Sequence, residues 1–334
     1  MTPPTVAILT TGGTIAMRRD DEAGGAVPLL RAADFAAALP PGLATPEMDE
    51  IVNLPSSHFT VETLLEIRRH VLAALARPEV AGVVITHGTD VMEETAYLLD
   101  LTVPGEKPIL LTGAMRTASQ LGYDGYANLA AAVRVAVEPA ARGLGAAIVF
   151  NDEVHAARWV TKGHTLSTAT FISPGWGPIG RVEGDRVIIA RRLPRAPLVS
   201  DRLEPRVALI KLAVGMTPDC LEDAVRRGVR GIVLEGLGGG RIPPWWLEPV
   251  RRAIEQGVAV VLASRCPGGR VWDAYGYPGA VRDWLAMGCL PAEGLNGQKA
   301  RIKLMVVLGA AQSLDEVAAL WKSTGACSPE GAGC

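Results

Sequence analysis

The chain has 334 residues, of which 49% are apolar and 20% charged, and its formal net charge is −2. That length suits about two domains, each large enough to bury its own core without metal or disulfide support. The balance argues against a disordered chain and against a strongly basic nucleic-acid binder, and the longest apolar runs fall well short of the roughly 18 residues a membrane span needs.

The chain opens Met1-Thr2-Pro3-Pro4 and runs directly into an apolar segment at 6–9. It shows no cationic region followed by an apolar stretch and a small-residue cleavage site, so no secretory signal is expected. Short apolar, β-branched runs then alternate with amphipathic segments of helix length, the pattern of an α/β sheet with crossover helices. Strands are predicted at 6–10, 82–86, 108–111 and 146–150, with helices at 60–76, 91–101 and 124–137 between them. A stretch rich in Arg and Pro at 191–205 lacks apolar periodicity and reads as a linker. Beyond it a second series predicts strand 206–212, helix 217–227, strand 231–235, helix 244–256 and strand 258–264, closed by helices at 298–308 and 314–323. The expected fold class is α/β, with a larger N-terminal α/β sheet domain over 1–190 and a smaller C-terminal α/β domain with a parallel sheet over 206–334. The small, polar tail at 326–334 is expected to fray. The five cysteines, Cys220, Cys266, Cys289, Cys327 and Cys334, are odd in number and form no C-x-x-C pair. They disfavour a disulfide framework or a zinc site and fit free thiols in a reducing cytoplasm.

In doubly wound sheets ligands bind beyond the carboxyl ends of the strands. Four segments stand there, at 10–16, 86–94, 112–116 and 151–165, and all carry glycine or small polar residues. Thr10-Thr11-Gly12-Gly13-Thr14-Ile15-Ala16 takes a strand into a paired-glycine turn, where bare backbone can bend sharply and approach a ligand. It would present Thr14 as a hydroxyl nucleophile, though the same residues suit an ordinary strand-to-loop turn. The segment matches neither G-x-G-x-x-G nor the G-K-[ST] of a phosphate loop. Thr86-His87-Gly88-Thr89-Asp90-Val91-Met92-Glu93-Glu94 opens a helix. Asp90 and Glu93 fit a D-x-x-E capping box, a purely structural role. Alternatively, Thr89 beside a carboxylate holds an amino-acid headgroup, and for catalysis its hydroxyl would need a base to activate it. Lys162, in Trp159-Val160-Thr161-Lys162-Gly163-His164, reads as loop. It is either a solvated surface charge or, facing Asp90 inside a cleft, a proton relay for Thr89. His87, His155 and His164 lack metal-triad spacing, and neither H-E-x-x-H nor G-x-S-x-G occurs. The run from Glu235 to Pro243 has Arg241 where G-x-G-x-x-G requires its last glycine, and reads as a plain glycine turn.

Together, TTGGTIA at 10–16, THGTDVMEETAYLLDL at 86–101, LTGAMR at 111–116 and VTKGHT at 160–165 resemble the bacterial L-asparaginase and glutaminase-asparaginase family. GLNGQKAR at 294–301 resembles that family's C-terminal segment, and the motifs run in order through nearly the whole chain. The resemblance implies two α/β domains, a homo-oligomer built as a dimer or a dimer of dimers, and hydrolysis of asparagine to aspartate and ammonia without metal or cofactor. It implies Thr14 as the nucleophile, forming a β-aspartyl ester, and Thr89, Asp90 and Lys162 as a second relay, with Asp90 also pairing with the substrate's α-ammonium. It places Ser56 and Ser57, in Leu54-Pro55-Ser56-Ser57-His58, at the α-carboxylate, and the Ala114 carbonyl at the substrate amide. Gly13 and Gly88 join the substrate-binding set, and the amides of Thr14 and Thr89 would form an oxyanion hole. The partner implied is a small amino-acid amide, with neither nucleic acid nor membrane.

Three features depart from the family pattern. Many relatives carry a tyrosine on the loop after the first motif; here 17–30 has none, and the first of the five tyrosines is Tyr97. Arg241 stands where many relatives have a small polar residue, and Trp272-Asp273-Ala274-Tyr275-Gly276-Tyr277 replaces a stretch that often supplies a glutamate. Tyr275 or Tyr277 is the candidate substitute for the missing phenol. The alternative functions are a glutaminase-leaning amidase, an enzyme of amidated tRNA whose relatives add an N-terminal module, and a protein that binds the amino acid without turning it over. The intact set Thr14, Thr89, Asp90 and Lys162 weighs against the last.

Overall fold

The computed structural model describes residues 2–272 and 274–325, and these divide into two compact units between Pro197 and Leu198. The tail 326–334, with Cys327 and Cys334, lies outside the described residues, as does Asp273.

The first unit is built on an eight-stranded sheet ordered Arg186–Ile189, Gly180–Glu183, Glu153–Ala156, Ala146–Phe150, Ile109–Thr112, Val80–Thr86, Thr5–Gly12, Thr45–Leu54. The last five in that order are parallel to their neighbours, and the first three add on antiparallel. In chain order the parallel strands run second, first, third, fourth, fifth, so the sheet reverses its direction of winding between Thr5–Gly12 and Val80–Thr86. Ligand crevices form at such a reversal, beyond the carboxyl ends. The central strands are near-continuous apolar runs because both their faces are covered. Val6, Ile8, Val84 and Leu110 pack on one side with helix Gly125–Val137. Ala7, Leu9, Val83, Ile85 and Leu111 pack on the other with helices Val61–Leu75 and Met92–Thr102.

The predicted core strands and helices all form, with ends shifted by a residue or two. Strand Thr45–Leu54 was not expected: its sequence, TPEMDEIVNL, carries a proline and four charges or amides. Among the described residues it lies at the sheet edge, pairing only with Thr5–Gly12, where proline and solvent-facing charge are tolerated. Residues 17–30, free of predicted structure, hold an antiparallel hairpin of Met17–Asp20 with Gly25–Pro28. The 191–205 stretch begins fastened to the first unit. Arg195 pairs with Asp100 at 2.7 Å and donates to the carbonyls of Asp100 and Val103, and Arg192 donates to the Ala140 carbonyl.

The second unit holds four parallel strands in the order Val207–Lys211, Gly231–Gly236, Ala259–Ser264, Leu290–Pro291. Ile232, Leu234, Trp246, Val250 and Trp284 form its core. The helix expected at 244–256 opens as a 3-10 turn, Pro244–Trp246, and becomes α-helical over Leu247–Glu255. Cys220, Cys266 and Cys289 are free thiols. No described helix is long and apolar enough to cross a membrane, and among the described residues no cluster of three or more His, Cys, Asp or Glu is placed to hold a metal.

Candidate active site

Strand Thr5–Gly12 ends in Gly12 and Gly13, both in left-handed conformation with φ of +91° and +81°. Their lack of side chains has a second consequence. A Cβ on Gly13 would lie 2.4 Å from the Cα and N of Gly88, and one on Gly88 would lie 2.5 Å from Ser56 Oγ. One on Gly12 would lie 2.5 Å from the Leu54 nitrogen. Real Cβ atoms do not approach that closely, so Gly12 meets Leu54 and Gly13 meets Gly88 backbone against backbone, while Gly88 makes room for the Ser56 side chain. Thr14 opens the 3-10 turn Thr14–Ala16, anchored by buried Ile15 and Ala16. Thr14 itself is only partly buried, and among the described residues its hydroxyl has no side-chain partner. The amides of Thr14 and Thr89 are likewise not taken up by any acceptor among the described residues.

The second motif does not form the capping box its sequence allows. Helix Met92–Thr102 has Val91 at its N-cap and no side-chain cap, which leaves both carboxylates for other partners. Asp90 Oδ1 accepts from Lys162 Nζ at 2.7 Å, and Thr89 Oγ1 accepts from the same nitrogen at 2.8 Å. Glu93 accepts from the Thr161 hydroxyl at 3.1 Å. Lys162 therefore stands on ordered structure rather than on the loop expected. Thr161–Lys162 pairs antiparallel with Phe171–Ile172, Lys162 facing Phe171 across the ladder. The lysine side chain is 19% exposed and Asp90 60%, so the ion pair adds little to stability. Its consequence is geometric: one ammonium is held on a carboxylate and a hydroxyl at once.

Behind Thr89 sits His87, fully buried, with Phe59 edge-on at 4.9 Å. Burial pushes its pKa down to about 4, so the ring is neutral. A carbonyl can only accept, so the 2.6 Å contact of Nδ1 with the Gly88 oxygen puts the proton on Nδ1. Nε2 then accepts from the Thr95 hydroxyl at 2.9 Å. A neutral imidazole thus clamps the carbonyl of Gly88 from below.

Ser56 is buried, and its hydroxyl accepts from the Asp90 amide at 3.3 Å, which brings it into the cluster. Ser57 is exposed. Ala114 is buried in a loop that the Asp124 carboxylate clasps, accepting from the amides of Met115 and Arg116. Asn128 secures the same loop by donating to the Gly113 carbonyl and accepting from the Asn151 amide. Sequence reasoning passed over Asp124, Asn128, Thr161 and Tyr123, whose hydroxyl donates to the Ile15 carbonyl at 2.6 Å. Tyr275 and Tyr277 lie in the second unit, rings 5.3 Å apart, with the Arg241 guanidinium over Tyr275 at 4.7 Å.

Two family descriptions match the chain: "Asparaginase, N-terminal" over residues 5–195, and "Glutaminase/Asparaginase C-terminal domain" over residues 206–321. An L-asparaginase of Bacillus licheniformis is 36% identical over 307 residues, covering 91% of this chain and 95% of the relative. A glutamyl-tRNA(Gln) amidotransferase component of Methanopyrus kandleri is 35% identical over 98% of this chain and 75% of the relative. Among solved structures, a probable cytoplasmic L-asparaginase from Campylobacter jejuni superposes with a TM-score of 0.84 at 31% identity, covering 95% of this chain and 99% of that one.

Proposed function

This chain belongs to the asparaginase family, and from that premise we propose that it hydrolyses the side-chain amide of L-asparagine to L-aspartate and ammonia with Thr14 as nucleophile. The Thr14 oxygen attacks the amide carbon, the carbon–nitrogen bond breaks, and ammonia leaves as a β-aspartyl ester forms on Thr14. Water then attacks the ester, releasing aspartate and returning a proton to the Thr14 oxygen. The unpartnered amides of Thr14 and Thr89 suit the oxyanion of both tetrahedral steps, where fixed donors are worth most.

The observation that carries this reading is the bridge from Lys162 Nζ to Thr89 Oγ1 and Asp90 Oδ1. A threonine hydroxyl that accepts from an ammonium keeps its own hydrogen free for a neighbour. The adjacent cation stabilises negative charge growing on that oxygen, so Thr89 can pass a proton during activation of Thr14 or of the hydrolytic water. Asp90, more open to solvent than the lysine, holds Lys162 in place and offers its second carboxylate oxygen to the substrate's α-ammonium. Ser56 and Ser57 take the α-carboxylate, and the Ala114 carbonyl takes the amide nitrogen. Assembly as a dimer or dimer of dimers belongs to the same proposal.

Ammonia release from asparagine and glutamine tests it. Wild type is expected to favour asparagine, and Thr14→Ala and Lys162→Met each to lose at least about a hundredfold in rate, as for removal of a nucleophile or an acid–base group. A wild type inert toward both amides would sink the assignment. A preference for glutamine would move the reading to a glutaminase of the same fold.

A further inference from the structure

The turn that presents Thr14 has four carbonyls, and each has a donor. Gly13 accepts from the Ala16 amide and Thr14 from the Met17 amide. Ala16 accepts from the amides of Leu29 and Leu30. Only Ile15 depends on a side chain: among the described residues, its oxygen is met by the Tyr123 hydroxyl at 2.6 Å. Ile15 is fully buried, so without that hydroxyl a carbonyl beside the nucleophile would lose its partner away from water, a costly state.

The phenol is held firmly in place. Tyr126 packs edge-on against it at 5.0 Å, and the ring lies so close over Gly125 that a Cβ there would meet the phenol oxygen at 2.2 Å. The same loop fastens the hairpin that follows Thr14. Ala118 donates its amide to the Met17 carbonyl, and Ser119 Oγ accepts from the Arg19 amide at 2.9 Å. Because the Thr14 hydroxyl has no side-chain partner of its own, its direction is set by the backbone turn.

We propose that Tyr123 is a positioning residue for Thr14: its hydroxyl, seated over Gly125, fixes the Ile15 carbonyl and with it the nucleophile's turn. The inference rests on the reading of Thr14 as nucleophile. Burial, reinforced by the neighbouring Tyr126 and Asp124, raises the Tyr123 pKa, so the phenol keeps its proton through the assay range and serves as a fixed donor.

The test is steady-state kinetics with asparagine on the full-length chain, run on wild type, Thr14→Ala, Tyr123→Phe, Gly125→Ala and Tyr126→Phe, each with a melting curve. Tyr123→Phe is expected to lower kcat about tenfold while KM stays within about twofold, because a misaimed nucleophile slows chemistry more than binding. Gly125→Ala keeps the hydroxyl but displaces it, and is expected to reproduce the loss in a protein whose helix has gained an alanine. This second variant decides the matter if Tyr123→Phe does not fold. Tyr126→Phe keeps the ring contact and is expected to match wild type. The pH–rate limbs of Tyr123→Phe should coincide with those of wild type. A kcat per folded molecule unchanged in Tyr123→Phe or Gly125→Ala overturns the proposal, as does a displaced limb, which would make the phenol a proton carrier. Turnover surviving in Thr14→Ala removes the nucleophile assignment and this inference with it, whereas an inactive Thr14→Ala beside an unimpaired Tyr123→Phe removes the inference alone.

Discussion

Both units end parallel strands in glycine, and the two endings can be set side by side. In the first, Gly12, Gly13 and Gly88 allow separate loops to press their backbones together, leaving the Thr14 and Thr89 amides unclaimed at the junction. In the second, strand Gly231–Gly236 runs into Leu237-Gly238-Gly239-Gly240-Arg241, and the turn folds back on itself through the paired backbone bonds of Leu237 and Arg241. Its remaining carbonyls are then taken: Gly238 accepts from the Ser264 hydroxyl, Gly239 from the Trp272 amide and Gly240 from the Trp284 indole. Glycine at a strand end is therefore no sign of a site by itself. What matters is whether polar groups are left over once the backbone has closed.

The comparison breaks most visibly at Gly13. Gly13→Ala forces a side chain into a left-handed position and against Gly88, so asparagine turnover is expected to fall at least about a hundredfold as the two motif loops part. Near-normal turnover in that variant would show that the loops need no such contact.

Acid provides the next test. An unfolded His87 takes a proton below pH 6.5, while the buried ring resists it down to about pH 4. The folded pKa is depressed, so nothing is lost above pH 6.5, and as pH falls below it the unfolded chain alone takes the proton and stability drains away, a loss of roughly 3 kcal/mol by pH 4. Urea melts of wild type and His87→Gln at pH 7 and pH 4 measure it, and the variant should lose less stability between the two. Equal losses would mean that the clamp on Gly88 does not depend on a neutral ring.

The smallest effect belongs to the closed turn. Trp284→Phe keeps most of the buried ring but deprives the Gly240 carbonyl of its donor, at an expected cost of about 1–2 kcal/mol in a urea melt. No change would mean that the turn closes without the indole.

Legibility from sequence followed the same division. Strand Ala146–Phe150 and helix Leu314–Ser323 were readable to their last residues, because a five-residue apolar run and a Ser-capped amphipathic helix carry their own signals. The edge strand Thr45–Leu54 was hidden, since half-exposed strands need no apolar alternation. Thr89, Asp90 and Lys162 stood out as motif residues, and the structure adds which of their atoms meet, while the first motif reaches the second through Gly13 against Gly88. The supporting contacts were not legible: Tyr123 reaches Ile15 across 108 residues and Thr161 reaches Glu93 across 68. A pair of single side chains brought together by topology leaves no period in the sequence.

Among the described residues, the two-stranded hairpin that carries Lys162 shares no ladder with the main sheet. It is fastened by Phe171 in the core, by the Thr161–Glu93 bond, and by His155 against Ser173 at 3.0 Å. A segment tied by a few side chains can open as a unit at a cost well below that of unfolding the sheet. The contacts that hold Lys162 and those that pair the main sheet are thus different ones: the lysine reaches its carboxylate and hydroxyl from a hairpin outside the eight-stranded ladder.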